Sequence, residues 1–414
     1  MVDLAGWVSR LDAVIGLIGA RFVRSEPRSR VGDYVRGLLA GLERKNGWTM
    51  SEHAGAVSPD GMQRLLRSAD WDVDGVRDDV RGYVLDGLAD TAADPADPGV
   101  GVFIADDTGF IKKGRRSAGV QRQYTGTSGK IDNCQLGVFL AYACPRGHAL
   151  IDRELYLPAV WTEDRDRCTA AGIPEAVEFA TKPELVVRML ERVEDAGRLS
   201  GWFTADEAFG QNPGLRDWLA DHRVPYVLAT RNDDLLTCPD GHREQAKVLA
   251  TLAGIDGDGR IDPAAWERRS LGYGAHGERV YDWTAVALDP TGLPDGWGHW
   301  LLVRQQVEPS EGKTVVERAY YRCAGPAATP LRELIRVAGT RWAIEECFQT
   351  AKNEAGLDHY QVRTRRAWYA HITLAMLAAG WLAVTRAHEH QTDRVEKGDP
   401  GPAVTATTPA SATS

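Results

Sequence analysis

The sequence predicts an α/β protein with a mixed sheet, preceded by an all-helical segment and interrupted by a β-rich one. Three observations over its 414 residues indicate this class. Residues 1–92 carry apolar side chains at helical spacing. Residues 100–231 alternate short apolar runs with helical periodicity, and residues 232–330 combine glycine- and aspartate-rich turns with strand-like runs. A second helical stretch follows over residues 328–387.

The first 92 residues are predicted to form a helical N-terminal domain. A short helix is expected near residues 49–56, and a second one over Asp60–Ser68 after a turn. This arrangement is compatible with a DNA-binding module whose candidate contacts are Gln63, Arg64 and Arg67. A plain helical bundle explains the same pattern, so both interpretations stay open.

The central part of the chain is predicted to hold the sheet. A linker rich in Ala, Asp and Pro is expected over Ala92–Gly99. Apolar runs of strand length then alternate with amphipathic helices, which is typical of α/β folds with a mixed sheet. The predicted strands are Val100–Asp106, Cys134–Ala143, Ala149–Leu157, Trp202–Ala205 and Tyr226–Thr230, and the predicted helices are Pro183–Ala196 and Leu215–His222.

The last third is predicted to close the fold. Within the β-rich insertion, residues 232–330, strands are expected at Val280–Ala287, His299–Val307 and Val315–Arg322. Residues 331–390 then return to the core, which they share with residues 100–231. The tail over residues 396–414 is rich in Pro, Ala, Thr and Ser and is predicted to be disordered.

The charge distribution is uneven along the chain. The formal net charge is −9, which by itself argues mildly against a nucleic-acid partner. A stretch from residue 112 to 130 nevertheless has no acidic side chain, and a local basic patch can bind phosphates on an acidic protein. Its basic residues are Lys112, Lys113, Arg115, Arg116, Arg122 and Lys130. A solvated basic loop is the competing explanation.

The sequence does not favour a membrane-spanning protein or a disulfide-rich secreted protein. The longest apolar run, Ile372–Val384, is too short to span a bilayer and is typical of a buried helix. The six cysteines form no Cys-x-x-Cys pair, which favours a reduced, cytoplasmic protein. A Cys-Pro-x-Gly-His pattern occurs at Cys144–His148 and at Cys238–His242. Two turns explain it more simply than a shared zinc site does.

Acidic residues follow two of the predicted strands. Asp106 and Asp107 sit at the end of the first strand, and Asp206 follows the strand Trp202–Ala205. Because ligand sites of α/β sheets lie at the carboxyl ends of strands, these carboxylates are candidates for a common site. Each of them alone is also compatible with a helix N-cap or a turn.

A helical stripe near residue 345 strengthens this interpretation. Arg341, Glu345 and Lys352 fall within about 40° of one another at about 100° per residue. A salt-bridged surface face produces the same spacing. Here, however, the neighbours Trp342, Ile344 and Phe348 are apolar, which favours a partly buried site.

These residues resemble the DDE transposases of bacterial insertion sequences, in the branch with a Tyr-x2-Arg-x3-Glu-x6-Lys signature. Arg341, Glu345 and Lys352 match its last three positions, whereas Ala338 occupies the tyrosine position. The Asp-Thr pair at Asp107 matches the family's first aspartate. The stretch Thr204–Gly210 matches the second, and residues 107–130 are typical of one subgroup.

The resemblance implies an RNase H-like catalytic core with a β-rich insertion. It implies that Asp107, Asp206 and Glu345 are catalytic and bind two Mg²⁺ ions, which Mn²⁺ can replace, with Asp106 as the alternative first ligand. Arg341 and Lys352 would then hold phosphates of double-stranded DNA, at the terminal inverted repeats and at the target. A homodimer in the synaptic complex and a cytoplasmic, nucleoid-associated protein are expected.

Two other functions use the same features. An RNase H-like endonuclease would cut DNA with this triad but would not transfer strands. A catalytically inactive regulator derived from a transposase would bind DNA only, although an intact acidic triad argues against it.

Overall fold

A large mixed sheet and the helices around it make up this α/β protein. The computed structural model describes residues 4–89, 101–253, 265–274, 277–310 and 313–396. The described strands are β1 (Val102–Ile111), β2 (Gln121–Thr125), β3 (Lys130–Cys144), β4 (Gly147–Tyr156), β5 (Trp202–Ala205), β6 (Tyr226–Thr230), β7 (Leu235–Thr237), β8 (Arg243–Gln245), β9 (Glu267–Gly274), β10 (Gly277–Ala287), β11 (Trp297–Ser310) and β12 (Lys313–Pro326).

Among the described residues, helices precede the first strand, follow the last strand and form several of the connections between strands. Those described are α1 (Leu4–Ile18), α2 (Ser25–Leu39), α3 (Gly47–His53), α4 (Asp60–Arg67), α5 (Val73–Leu88), α6 (Ala159–Thr162), α7 (Arg165–Ala170), α8 (Lys182–Asp195), α9 (Glu207–Gly210), α10 (Pro213–Asp221), α11 (Ala246–Leu252), α12 (Leu331–Thr340), α13 (Ala343–Asn353) and α14 (Arg365–Glu396).

The sheet has the order β2-β3-β1-β5-β6-β12-β11-β10-β9, and β4 also pairs with β3. Strands β1, β5 and β6 run parallel, while β3 and β12 join them antiparallel on either side. The parallel strands β5 and β6 are short apolar runs and are almost wholly buried, as strands covered on both faces require. The mixed sheet predicted from the sequence is therefore present.

Strand β1 extends beyond its predicted end. Its parallel pairing with β5 stops at Ala105 and Ala205, but its antiparallel pairing with β3 continues to Ile111 opposite Cys134. The prediction that the strand ends at Asp106 was therefore wrong. Both aspartates lie inside a strand, just past the point where its parallel neighbour ends.

The β-rich segment continues the same sheet. Strand β12 pairs with β6, with Arg322 opposite Leu228, and β11, β10 and β9 follow outward. The sequence had located β10, β11 and β12 but not β9, the small β7–β8 hairpin or α11. The bounds of the predicted domains stay a prediction, because the described helices of residues 4–88 share one hydrophobic cluster with the sheet and α14.

Helix α14 is the central helix of the core. It contains the predicted apolar run and is, among the described residues, the one helix long and apolar enough to cross a membrane. Of the most apolar part of this helix, 89% is buried inside the protein, which is typical of a core helix. The predicted continuous stretch over residues 328–387 is divided into α12, α13 and α14, with Arg341 and Trp342 at the first break.

Some predictions concern residues outside those described. These are the linker over residues 92–99, the turn over residues 254–259 and the tail beyond Glu396.

Candidate active site

Strands β1 and β5 bring two carboxylates to the same edge. Asp206 follows β5 directly and is the N-cap of the short helix α9, where its Oδ1 accepts a hydrogen bond from the Phe209 amide at 3.3 Å. Asp106 stands one residue beyond Ala105, which is paired with Ala205. The N-cap interpretation of Asp206 and its site interpretation are thus both compatible with the fold.

The neighbouring aspartates Asp106 and Asp107 point to opposite faces of the sheet, since side chains alternate along a strand. The Asp106 Oδ2 atom lies 4.0 Å from the Arg341 Nη1 atom. The Asp107 Oδ1 atom instead accepts a hydrogen bond from Lys182 Nζ of α8 at 3.0 Å. The structure thus places Asp106, the alternative ligand, near Arg341. Asp107, the predicted ligand, pairs with Lys182, and its charge also contributes to the raised pKa of Asp206.

Helix α13 lies on the Asp106 face. Lys352 donates a hydrogen bond to the Thr108 hydroxyl at 2.8 Å, and Thr108 shares the face of Asp106 two residues earlier. The rings of Phe348 and Phe139 are in contact at 5.4 Å between centroids, and Phe139 is the cross-strand partner of Asp106. The helix that carries Glu345 is thereby packed against this face.

Arg341 connects the two acidic elements. Its guanidinium lies 4.0 Å from Asp106 and, through Nη2, 3.6 Å from the Glu345 Oε1 atom. The sequence predicted Arg341, Glu345 and Lys352 on one helix. In the structure Arg341 is the C-cap residue of α12, whereas Glu345 and Lys352 belong to α13. The structure nevertheless brings Asp106, Arg341 and Glu345 together as a chain of alternating charges.

Burial raises the pKa of each of the three acidic groups, and repulsion between carboxylates adds to the shift for Asp106 and Asp206. Burial, followed by the charge of Asp206, raises the pKa of Asp106 to about 7. Burial is also the largest cause of the raised pKa of Asp206 and of Glu345, and the charge of Arg341 opposes both shifts. The carboxylate oxygens of Asp106, Asp206 and Glu345 do not all lie within 4.8 Å of one another. A cation between Asp106 and Asp206, whose charges repel, would relieve the cost of ionising them. Oxygen-only donors of this kind fit a hard divalent ion.

A cleft of about 570 Å³ opens beside Asp206 and Arg341, and neither Asp106 nor Glu345 lines it. Its lining also includes Arg304 and Arg318 of strands β11 and β12. The half-exposed Trp342 stands at the same cleft. Sequence reasoning missed Arg304 and Arg318, because only the pairing of β12 with β6 brings the β-rich segment next to Asp206.

The basic residues between positions 112 and 130 differ in their exposure, because Lys112 packs against the protein whereas the others are exposed. Lys112 Nζ lies 3.4 Å from the centroid of the Tyr360 ring and donates to the Tyr360 carbonyl, and burial lowers the pKa of Lys112 to about 8. The side chains that follow, Lys113, Arg115 and Arg116, are exposed on a loop. Arg122 and Lys130 are exposed on β2 and β3, and neither lines the cleft beside Asp206.

The two Cys-Pro-x-Gly-His segments do not come together as a shared zinc site. Cys238, Asp240 and His242 place their ligand atoms within 4.8 Å of one another, in a group that includes neither Cys144 nor His148. The His148 ring contacts Glu346 instead, at 3.4 Å.

Comparison with known proteins adds two findings. The family model described as "DDE superfamily endonuclease" matches residues 19–288, which include Asp106, Asp107 and Asp206 but not Glu345. The chain is also similar to a "Probable transposase for insertion sequence element IS701" of Microchaete diplosiphon. That similarity is 23% identity over 336 residues, covering 79% of this chain and 74% of the relative.

Proposed function

The chain belongs to the DDE superfamily endonucleases, and on that premise we propose that it is the transposase of an insertion sequence. It cleaves the ends of the element and transfers the resulting 3′-OH strands to target DNA. The observation that carries the proposal is the common face shared by Asp106, Arg341 and Glu345, at the edge where Asp206 ends β5.

The proposed metal ligands are Asp106, Asp206 and Glu345. Their carboxylate oxygens suit Mg²⁺, with Mn²⁺ as a substitute, and burial raises the pKa of all three groups. When bound by these residues, two divalent ions would supply Lewis-acid charge neutralisation and a more acidic water for phosphoryl transfer. Asp107, predicted from the sequence as the first ligand, is proposed instead to fix β1 against α8 through Lys182.

Two successive displacements at phosphorus describe the reaction. In the first, a water oxygen forms a bond to the phosphorus at the element end, and the bond from phosphorus to the 3′ oxygen breaks. The departing oxygen takes a proton and becomes a 3′-OH. In the second, this hydroxyl attacks a target phosphate, and a target 3′ oxygen leaves.

The basic side chains around the carboxylates are proposed to hold the DNA. Arg341, which lies between Asp106 and Glu345, is proposed to bind a DNA phosphate bidentately. Lys352 is proposed to position Thr108 and, with it, the strand of Asp106. Lys113, Arg115, Arg116, Arg122 and Lys130 are exposed and are proposed contacts of the DNA backbone. Lys112 is proposed to support their loop from beneath, through Tyr360.

The partner DNA would be double-stranded, at the terminal inverted repeats and at the target. Because two ends must be joined in one event, a homodimer on DNA is part of the proposal. Its place of action would be the bacterial nucleoid.

Cleavage and joining of a labelled duplex test the function. The duplex carries the DNA that flanks the gene, and the reaction contains Mg²⁺ and a target plasmid. The parent protein should yield free 3′ ends and joined products, and Glu345→Gln should yield neither while it keeps the parent's melting temperature. Cleavage without joined products would identify an endonuclease that does not transfer strands. Full activity of Glu345→Gln would contradict the proposed site.

A further inference from the structure

A groove lies between the N-terminal helices and the segment that follows the Glu345 helix. Two adjoining cavities of about 570 and 530 Å³ form it, and they share Arg116, Tyr360 and Arg363. Among the described residues that line them, seven are lysine or arginine and one, Asp358, is acidic. The whole chain has the opposite balance, with 58 acidic residues against 49 basic ones.

We propose that this basic groove binds the inner part of the element end as double-stranded DNA, and that α4 reads its base sequence. The groove is defined by Trp48, Gln63, Arg67, Arg116, Gln361 and Arg363. This inference rests on the proposed function, and it adds the surface by which the enzyme recognises its own ends.

The charge of the groove is available to a ligand. Arg67, Arg116 and Arg363 are exposed, on three different segments that face one space. Arginines placed in this way neutralise successive phosphates and release their counterions, which is the largest sequence-independent contribution to DNA affinity. A duplex backbone is therefore the partner whose charge the groove complements.

Helix α4 has the side chains for base recognition. It buries Met62, Leu65 and Leu66 against the protein and exposes Gln63 and Arg67, which are one helical turn apart. Glutamine pairs with adenine and arginine with guanine through the major groove. Trp48, whose surface is 60% exposed at the same groove, adds a flat apolar contact.

The walls of the groove are held in place before DNA arrives. The Lys45 amide donates to the His359 Nδ1 atom at 3.1 Å, which ties the start of α3 to the segment after α13. The Ala118 amide donates to the Arg363 carbonyl at 2.9 Å, which ties that segment to the basic loop. A surface fixed in this way loses little conformational entropy on binding.

The groove lies away from the carboxylates. Lys112, which lines it, follows Asp106 by six residues, and six residues of strand extend about 20 Å at about 3.3 Å each. Contacts in the groove are therefore expected inside the element and not at the cleaved bond.

Equilibrium binding of the full chain in EDTA tests the inference without requiring catalysis. The probe is a duplex of the DNA flanking the gene, compared with a shuffled duplex and with the single strand. Arg116→Ala and Arg363→Ala should each weaken binding to both duplexes about tenfold and reduce the salt dependence by about one phosphate contact. Gln63→Ala should weaken binding to the flanking duplex alone, by about tenfold.

Arg64→Ala is the matched control on the same helix. Arg64 is a candidate DNA contact from the sequence, but in the structure it pairs with Glu26 at 2.9 Å and does not line the groove. Its removal should therefore change affinity less than about twofold. Phosphate ethylation that interferes inside the element, away from the cleaved bond, would support the inference. Unchanged affinity of both Arg116→Ala and Arg363→Ala, or a preference for the single strand, would overturn it.

Failure of this inference can be told from failure of the proposed function. If the groove variants bind like the parent and Glu345→Gln still abolishes cleavage, the groove alone is refuted. If the flanking duplex is bound through the groove but never cut in Mg²⁺ or Mn²⁺, the catalytic proposal alone is refuted.

Discussion

Lys352 of α13 donates a hydrogen bond to the Thr108 hydroxyl of β1, with 2.8 Å between Nζ and Oγ1. Burial lowers the pKa of this lysine, which shows that its ammonium group is drawn out of water. The bond joins the helix of Glu345 to the strand of Asp106 only two residues from that aspartate. The relative position of two proposed metal ligands therefore depends on it.

Removing either partner of this bond should loosen the site. We expect Thr108→Val and Lys352→Met each to lower the free energy of unfolding by about 1.5–3 kcal/mol, as for hydrogen bonds to charged groups. The double variant should lose less than the sum of the two. Denaturant unfolding of the four proteins measures this coupling, and strictly additive losses would show that the bond contributes nothing.

The two adjacent aspartates should differ sharply in their catalytic effect. Asp106→Asn removes a proposed metal ligand and should reduce cleavage by at least about 100-fold. Asp107→Asn weakens an ion pair with Lys182 on the other face, so cleavage should fall less than about tenfold. Rates on one labelled duplex under saturating Mg²⁺ provide the comparison. The reverse ranking would restore Asp107 as the ligand.

The buried carboxylate of Asp152 should be the most sensitive charged position for stability. It is fully buried and accepts hydrogen bonds from Arg81 of α5 at 3.1 Å and from Arg192 of α8 at 2.9 Å. Asp152→Ala removes the fully buried partner of both arginines, which keep only Asp78 and Glu154, and should cost about 3 kcal/mol of unfolding free energy. Glu26→Ala breaks the exposed pair with Arg64 and should cost no more than about 1 kcal/mol.

Acid should destabilise the protein through His371. Its Nε2 atom donates to the Gly356 carbonyl and its Nδ1 atom accepts from the Tyr34 hydroxyl, so the ring is neutral. Burial lowers the pKa of His371 to about 4, and the unfolded chain takes up this proton below about pH 6.5. The contribution is therefore complete above about pH 6.5 and is lost as pH falls towards 4.

Comparison with a side chain that does not titrate isolates this effect. The free-energy difference between the parent and His371→Gln should change by about 2 kcal/mol between pH 7.5 and pH 5. Denaturant unfolding at both pH values measures it. An equal difference at both values would show that the histidine is not held neutral.

The sequence predicted elements well where local pattern decides them. The apolar runs of β5 and β6 were located at their observed bounds, and the spacing of Glu345 and Lys352 was located on a helix. The sequence did not reveal that Asp106 and Asp107 both lie inside a strand, with their side chains on opposite faces. The face of a strand is decided by pairing partners, and local apolar pattern does not reveal that β1 continues along β3 past the end of β5.

Two arginines near Asp206 were not predicted because they are far from it in the sequence. Arg304 and Arg318 lie in a segment predicted as a separate insertion, and no motif connects them with Asp206. Their position beside it follows from the pairing of β12 with β6, which joins residues almost a hundred positions apart. Long-range pairing of this kind depends on the whole sheet rather than on neighbouring residues.

The pairing of β12 with β6 also limits how this protein can be shortened. Deleting residues 232–330 would leave the backbone groups of β6 unpaired along one side, next to a strand that is buried and apolar. Exposed edges of this sort recruit strands from other molecules and lead to aggregation. The β-rich segment therefore protects β6 from becoming an exposed edge strand. A minimal catalytic fragment would have to retain this segment or supply another strand to pair with β6.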